Sequence, residues 1–400
     1  MFKPLTLVSL LSLAIPAFTR SCVTFDASFN LLVFGLDGKD WNAGTQDAWA
    51  GGKATDITAS GRPPFDGANT TCYLAQFFNA VYILNGDATN PSDIHIYDAT
   101  AKSWTTQKVD TGNFDPSSFN AILDHDTNVF YALSHDELYF VDFGKLTSAN
   151  ATALSWVDVG KAPYPDNYDP VMALAQNHVH FLDVPGNSPG EADIFVIHYS
   201  FFQPDPQSYP LPDGSAFPAT HGQTASFFQE SGVQQEFAFI PDDGSQTYVI
   251  NVETNTTQAL AGPTTKDANA LYAASITALV QLDSTGAIQF LPYKEGDTTT
   301  NSQAKWTSVA AVSAVAPPGS SSSASATSGA SNSSSASAGS SVSVTKSGAS
   351  SGSQTSTSGS ASSSQTGTSS QTSDAFAIAK GTFGLGMVTA GVLALSGFFL

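Results

Sequence analysis

Two short patterns in the chain carry side chains able to ligate a metal. His178 and His180 sit two apart in "HVHFL", and side chains on a strand repeat every two residues, so both imidazoles would share one face. A third ligand is not apparent nearby, and an ordinary strand with one polar face is the simpler reading. "DHDTN" places Asp124, Asp126 and Asn128 at alternate positions, as the opening of a calcium loop does. It lacks the later glycine and the distant glutamate, and Asp and Asn are also the residues of a hairpin turn. "PDDGSQ" (241–246) and "DSTG" (283–286) read as equivalent turns. The chain shows no G-x-S-x-G elbow, phosphate loop or convincing carboxylate pair. No catalytic residue, metal ligand or cofactor is therefore assigned from the sequence.

The elements that must position any site are short strands. Between residues 22 and 312, runs of β-branched and aromatic residues alternate with Gly, Asn, Asp and Pro turns, and helical periodicity is scarce. Six strongly apolar strands stand out, ending at Leu36, Leu84, Leu133, Leu182, Ile240 and Leu282. Their spacings are 48, 49, 49, 58 and 42 residues, and Trp104, Trp156 and Trp306 echo the period. A period near fifty with about four short strands per unit is the signature of a propeller blade. The expected fold is all-β, a six-bladed propeller, with seven blades as the alternative because the segment 37–65 is irregular.

The clearest unit runs from Ala80 to Val109, with Val81–Leu84 as an inner strand and Ile94–Tyr97 as the next. In it, Tyr97-Asp98 followed by Trp104 after a Gly-containing turn resembles a kelch repeat, with Asn85-Gly86 in place of the double glycine. The whole region 22–312 resembles a diverged kelch-type propeller, similar to the galactose-oxidase central domain and to propellers of fungal secreted proteins. Some kelch-type propellers are copper-radical oxidases that use a tyrosine cross-linked to cysteine. Both cysteines here are expected in a disulfide, so the resemblance does not imply that activity.

The flanks set the expected location. Lys3 followed by the apolar run from Leu5 to Ala17 reads as a signal peptide over residues 1–21. The only two cysteines, Cys22 and Cys72, would pair in an oxidising compartment. Sequons at Asn69, Asn150, Asn255 and Asn332 are expected to be N-glycosylated. After Pro317-Pro318 about half of the residues to Ser373 are serine, a composition that cannot bury enough surface to fold. Residues 313–373 are therefore expected to be a disordered Ser/Thr-rich stalk, O-glycosylated or plain linker. The apolar tail Gly384–Leu400 lacks the basic flank of a membrane span, and follows a short spacer and small residues. Residues 374–400 accordingly read as a removed GPI-anchor signal, with Ser373 the preferred attachment point.

With 34 acidic against 14 basic residues the formal charge is −20, which disfavours nucleic acid as a partner. The expectation is a GPI-anchored monomer on the outer face of the plasma membrane or in the cell wall. It would act as a non-catalytic binding module for a glycan, wall polymer or protein, with Trp41, Trp49 or Tyr164 as sugar-stacking candidates if exposed. The alternatives are a tethered propeller enzyme (hydrolase, lyase or oxidase) with its site at the central channel, and a wall-structural protein.

Overall fold

The structure is a computed structural model and describes residues 20–165 and 167–317. The expected leader through residue 19, the stalk from residue 318, the tail signal, Ser373 and Asn332 lie outside the described residues.

Six antiparallel sheets of four or five strands follow one another along the chain, each an up-and-down meander except that in the fourth Glu191–Val196 pairs with two short outer strands and in the third Leu154–Ser155 leaves the sheet to pair with Val109–Asp110. Blade one comprises Cys22–Phe25, Leu31–Leu36, Lys39–Asn42 and Thr55–Asp56, and blade two Thr71–Ala75, Ala80–Leu84, Ile94–Asp98 and Ser103–Gln107. Blade three is Asn120–Asp124, Val129–Ser134, Glu137–Asp142 and Val157–Lys161. Blade four is Val171–Ala175, His178–Leu182 and Glu191–Val196, with two short outer strands, Phe201–Phe202 and Gln207–Ser208. Gly222–Ser226, Glu236–Pro241, Gln246–Asn251 and Thr256–Ala261 form blade five; Leu271–Ala274, Ala278–Leu282, Ile288–Pro292 and Thr307–Ser308 form blade six. The innermost strands touch in sequence around the axis, and that of blade one touches that of blade six, so the ring is closed with six blades.

The six apolar strands that set the period are the second strands of the six blades, and Val81–Leu84 is therefore one place out from the axis. A second strand is packed on both faces by neighbouring blades, which is why it reads as a continuous apolar run. Period-two alternation assigns the faces. In blade one, Leu31 and Val33 point into the cluster shared with blade six, whereas Leu32 and Phe34 point into the cluster shared with blade two. Each of the six apolar clusters straddles one blade interface, so the core is six radial layers. Tyr97 and Trp104 are directly opposed across strands and meet Phe34 and Phe65 in the layer between blades one and two.

The irregular segment 37–65 is the outer half of blade one and its exit, not a seventh blade. Asp40, fully buried on its third strand, accepts the backbone N–H of Gly35 at 2.9 Å and both Nε and Nη2 of Arg62 at 2.9 and 2.7 Å. Gly35 is required there: its φ is +79°, and a Cβ would meet the Phe65 ring at 2.9 Å.

Among the described residues no strand is exchanged between the first and last blades. The segment after Ser308 holds the seam instead. It includes the short helix Ala310–Ser313, and Ala311 donates to Trp49 O at 3.0 Å and accepts from Ala54 N at 2.9 Å. Val309, Ala311, Val312 and Ala316 are buried in the seam cluster, so packing continues through Ala316. On the other side of blade one, Cys22 and Cys72 form a disulfide between the innermost strands of blades one and two. No helix of the described residues is long and apolar enough to cross a membrane.

Candidate functional site

The innermost strands enclose an axial channel with a cavity of about 180 Å³. Most ligand sites measure roughly 300–1,000 Å³, so the channel alone takes only something small. Much of its polar lining joins one blade to the next. Tyr73 Oη donates to Ala121 O at 2.9 Å, Asn120 Nδ2 to Pro170 O at 2.7 Å and Ser226 Oγ to Leu174 O at 2.7 Å, and Thr224 Oγ1 donates to Met172 O. These bonds satisfy groups that would otherwise be stranded between strands not paired in one sheet.

At the mouth where the innermost strands begin, His221 Nδ1 lies 2.8 Å from Asp242 Oδ2 and Nε2 lies 3.6 Å from Asp169 Oδ2. Asp183 is nearby, its carboxyl pushed up by burial and drawn partly back by His221. A carboxylate-oriented imidazole is an acid–base arrangement, although here Nε2 faces a second carboxylate and not a hydroxyl or thiol.

The opposite mouth carries a row of rings from four blades. Phe29 packs on Phe228 at 5.7 Å, Phe228 on His125 at 5.2 Å, and His125 lies nearly parallel to Phe77 at 5.7 Å. Phe77 is 61% exposed, which leaves its outer ring face open to solvent. Immediately after Phe228 the chain enters a groove of about 890 Å³ between blades five, six and one. Its walls include Gln46, Gln229, Glu230, Thr300 and Gln303, with Lys294 at the same site. Gln229 Nε2 donates to both oxygens of Glu295 at 3.0 and 3.2 Å, and Thr277 Oγ1 donates to Gln46 Oε1 at 2.7 Å. Burial, reinforced by the charge of Glu236, pushes the Glu295 carboxyl up. One wall is the helix Thr298–Gln303, whose N-terminal Asp297 accepts from Thr300 N at 3.0 Å.

The residues singled out in the sequence fall elsewhere. Trp41, Trp49 and Tyr164 are core residues, 7%, 1% and 5% exposed, and offer no ring to a sugar. Trp49 packs edge-on against Phe290 across the seam, and Tyr164 packs among Tyr168, Phe181 and Phe202. "DHDTN" is a turn from the first to the second strand of blade three. Asp124 accepts from Thr127 Oγ1 at 2.6 Å, and Asn128 Nδ2 donates to Tyr82 Oη of blade two at 2.7 Å. The turns at Asp243 and Asp283 join second to third strands and lie toward the other mouth. Among the described residues, no group of three or more His, Cys, Asp or Glu side chains is placed to hold a metal. Asn69, Asn150 and Asn255 are all exposed. Peptide-N-glycosidase treatment of the protein expressed in a eukaryotic secretory host is therefore expected to lower its mass by up to three glycans from this region. A mass unchanged by the enzyme would contradict that expectation.

His178 and His180 share a face of their strand, but His180 is sealed against Tyr209 and Phe237. Complete burial drives its pKa from 6.5 down to about 3. The unfolded chain then binds a proton that the folded chain refuses between these values. Stability is full above pH 6.5 and is lost as the pH falls, by about 2 kcal/mol at pH 5 from this residue. His95, His125 and His178 are shifted in the same direction. Urea unfolding at pH 7 and pH 5 should show a smaller acid loss in His180→Phe than in the wild type, and an equal loss would contradict the assignment.

No protein-family model matches the chain, and no curated protein matches it in sequence.

Proposed function

We propose that the protein is a surface-displayed binding module: a kelch-type propeller, held on a stalk by a GPI lipid, that binds a neutral glycan or wall polymer without catalysis. The observation that carries this reading is the ligand-sized groove at the same mouth as the exposed ring of Phe77, to which it is linked through Phe228 and His125. Amide and hydroxyl side chains in the groove suit sugar hydroxyls, and an open aromatic face suits the apolar face of a pyranose. The net charge of −20 argues against a polyanionic glycan. On a glycan array the protein is expected to select neutral oligosaccharides. Phe77→Ala should weaken that binding by about tenfold while changing stability by less than about 0.5 kcal/mol, as befits an exposed side chain. An array without selective binding, or a Phe77→Ala variant that binds as well, would sink the proposal.

The orientation of His221 by Asp242 favours a second reading, a tethered hydrolase or lyase working at the opposite mouth. Its test is turnover of chromogenic glycosides and esters that disappears in His221→Ala without loss of folding.

A further inference from the structure

The connection between the first and second strands of blade five, residues 227–235, is nine residues long. The same connection takes two to five residues in the other blades, so joining two strands does not account for its length. The extra chain lies across the mouth that carries Phe77 and rests on four other blades. The Phe228 ring meets Phe29 of blade one and His125 of blade three. The Phe227 ring stacks on Tyr293 of blade six at 4.2 Å, and Gln229 donates to Glu295 of the same blade. The Gln234 side chain hydrogen-bonds His125, and its carbonyl accepts from the backbone N–H of Gln176 of blade four at 2.7 Å. Gln176 Nε2 also donates to Gln235 Oε1 at 2.5 Å.

These nine residues wall two spaces at once. Phe228 and Gln234 close the end of the axial channel, while Gln229, Glu230 and Ser231 form one side of the groove. Phe227 and Gln234 are buried, but the crest from Glu230 to Gly232 is exposed, with Gly232 turning the chain at a φ of +89°. The loop contains no strand or helix and is held largely through side chains, so it opens at lower cost than the paired strands beneath it.

We propose that residues 227–235 form a strap that lifts from the mouth without unfolding of the blades, and that a ligand seated in the groove fastens it shut. Lifting takes Gln229, Glu230 and Ser231 away from the groove and uncovers the end of the channel behind Phe228 and Gln234. A ligand bound against the first three has those partners only in the shut state, which it therefore favours. The fastening rests on the glycan reading of the groove, and the lifting does not.

The test is hydrogen–deuterium exchange of the intact protein, read by mass spectrometry on the peptide that covers 227–235. Lifting exposes little surface, so low urea should leave strap exchange nearly unchanged while exchange of the second strands rises in step with global unfolding. Gln176→Asn keeps a residue suited to the φ of +48° there but shortens the arm to Gln235, and should speed strap exchange about fivefold. The oligosaccharide selected on the glycan array, at about ten times its dissociation constant, should slow it about tenfold. A strap that exchanges only with global unfolding would overturn the proposal even if a glycan binds. Selective binding that leaves strap exchange unchanged would overturn the fastening. An array without selective binding would sink the glycan reading and the fastening together, and urea-independent exchange would then still support the lifting.

Discussion

Removing the Cys22–Cys72 bond is expected to lower the unfolding free energy by about 4 kcal/mol. The bond closes a 50-residue loop, and the loop-closure relation gives about that loss when such a cross-link is released from the unfolded chain. Its position adds a structural reason. Among the described residues blade one exchanges no strand with blade six, so beyond its pairing with Leu31–Leu36 its innermost strand is held to the neighbouring blades by side-chain packing at the seam and by this bond toward blade two. Urea unfolding of the wild type with and without reductant, and of Cys22→Ala/Cys72→Ala, checks the figure. The midpoint should fall with the slope little changed. A reduced protein as stable as the oxidised one would show that the seam needs no such clamp.

Asp40→Ala is expected to cost about 3–5 kcal/mol, the loss typical of breaking a buried ion pair from one side. The carboxylate is fully buried and holds three donors, two from Arg62 and one from the backbone of Gly35. Without it, the partly buried guanidinium over Phe65 keeps its charge and loses its partner, and the Gly35 N–H is stranded. Arg62→Met alone should also destabilise, because it leaves Asp40 buried without its counter-ion. Asp40→Leu/Arg62→Met should recover part of the loss, since no uncompensated charge remains. Recovery should be incomplete because Gly35 N–H still lacks an acceptor. Chemical denaturation of Asp40→Leu, Arg62→Met and the double variant gives the coupling directly. Additive losses would mean that the pair does not act as a unit.

What could be read in the sequence follows from where water is. The second strands are walled by protein on both faces, so "LVFGL", "VYIL" and their counterparts form long apolar runs and reveal the period. Several innermost strands face the channel on one edge and carry Tyr, Thr, Gln and Ser, as in "TCYLA" and "GQTAS", so they do not announce themselves. Val81–Leu84 looks like the inner strand for that reason. With only two cysteines, their pairing was legible without any knowledge of the fold.

The candidate binding face was not legible. Its residues come from a turn near Gln46, the loop 227–235 and the helix Thr298–Gln303, and only ring closure brings these together. One trace was present: the interval of 58 residues between Leu182 and Ile240 contains that long loop and the extra strands of blade four. Trp41 and Trp49 attract attention as tryptophans, but each is consumed by the core, and the exposed ring belongs to Phe77 in the unremarked "QFFNA". Side-chain type alone does not distinguish a platform from a packing residue; burial does.

The most direct measurement is a crystal structure of the protein with the oligosaccharide that it selects on the array. The binding-module account predicts sugar density in the groove between blades five, six and one, with a ring stacked on Phe77. Density at the opposite mouth against His221 and Asp242, with the groove unoccupied, would contradict it.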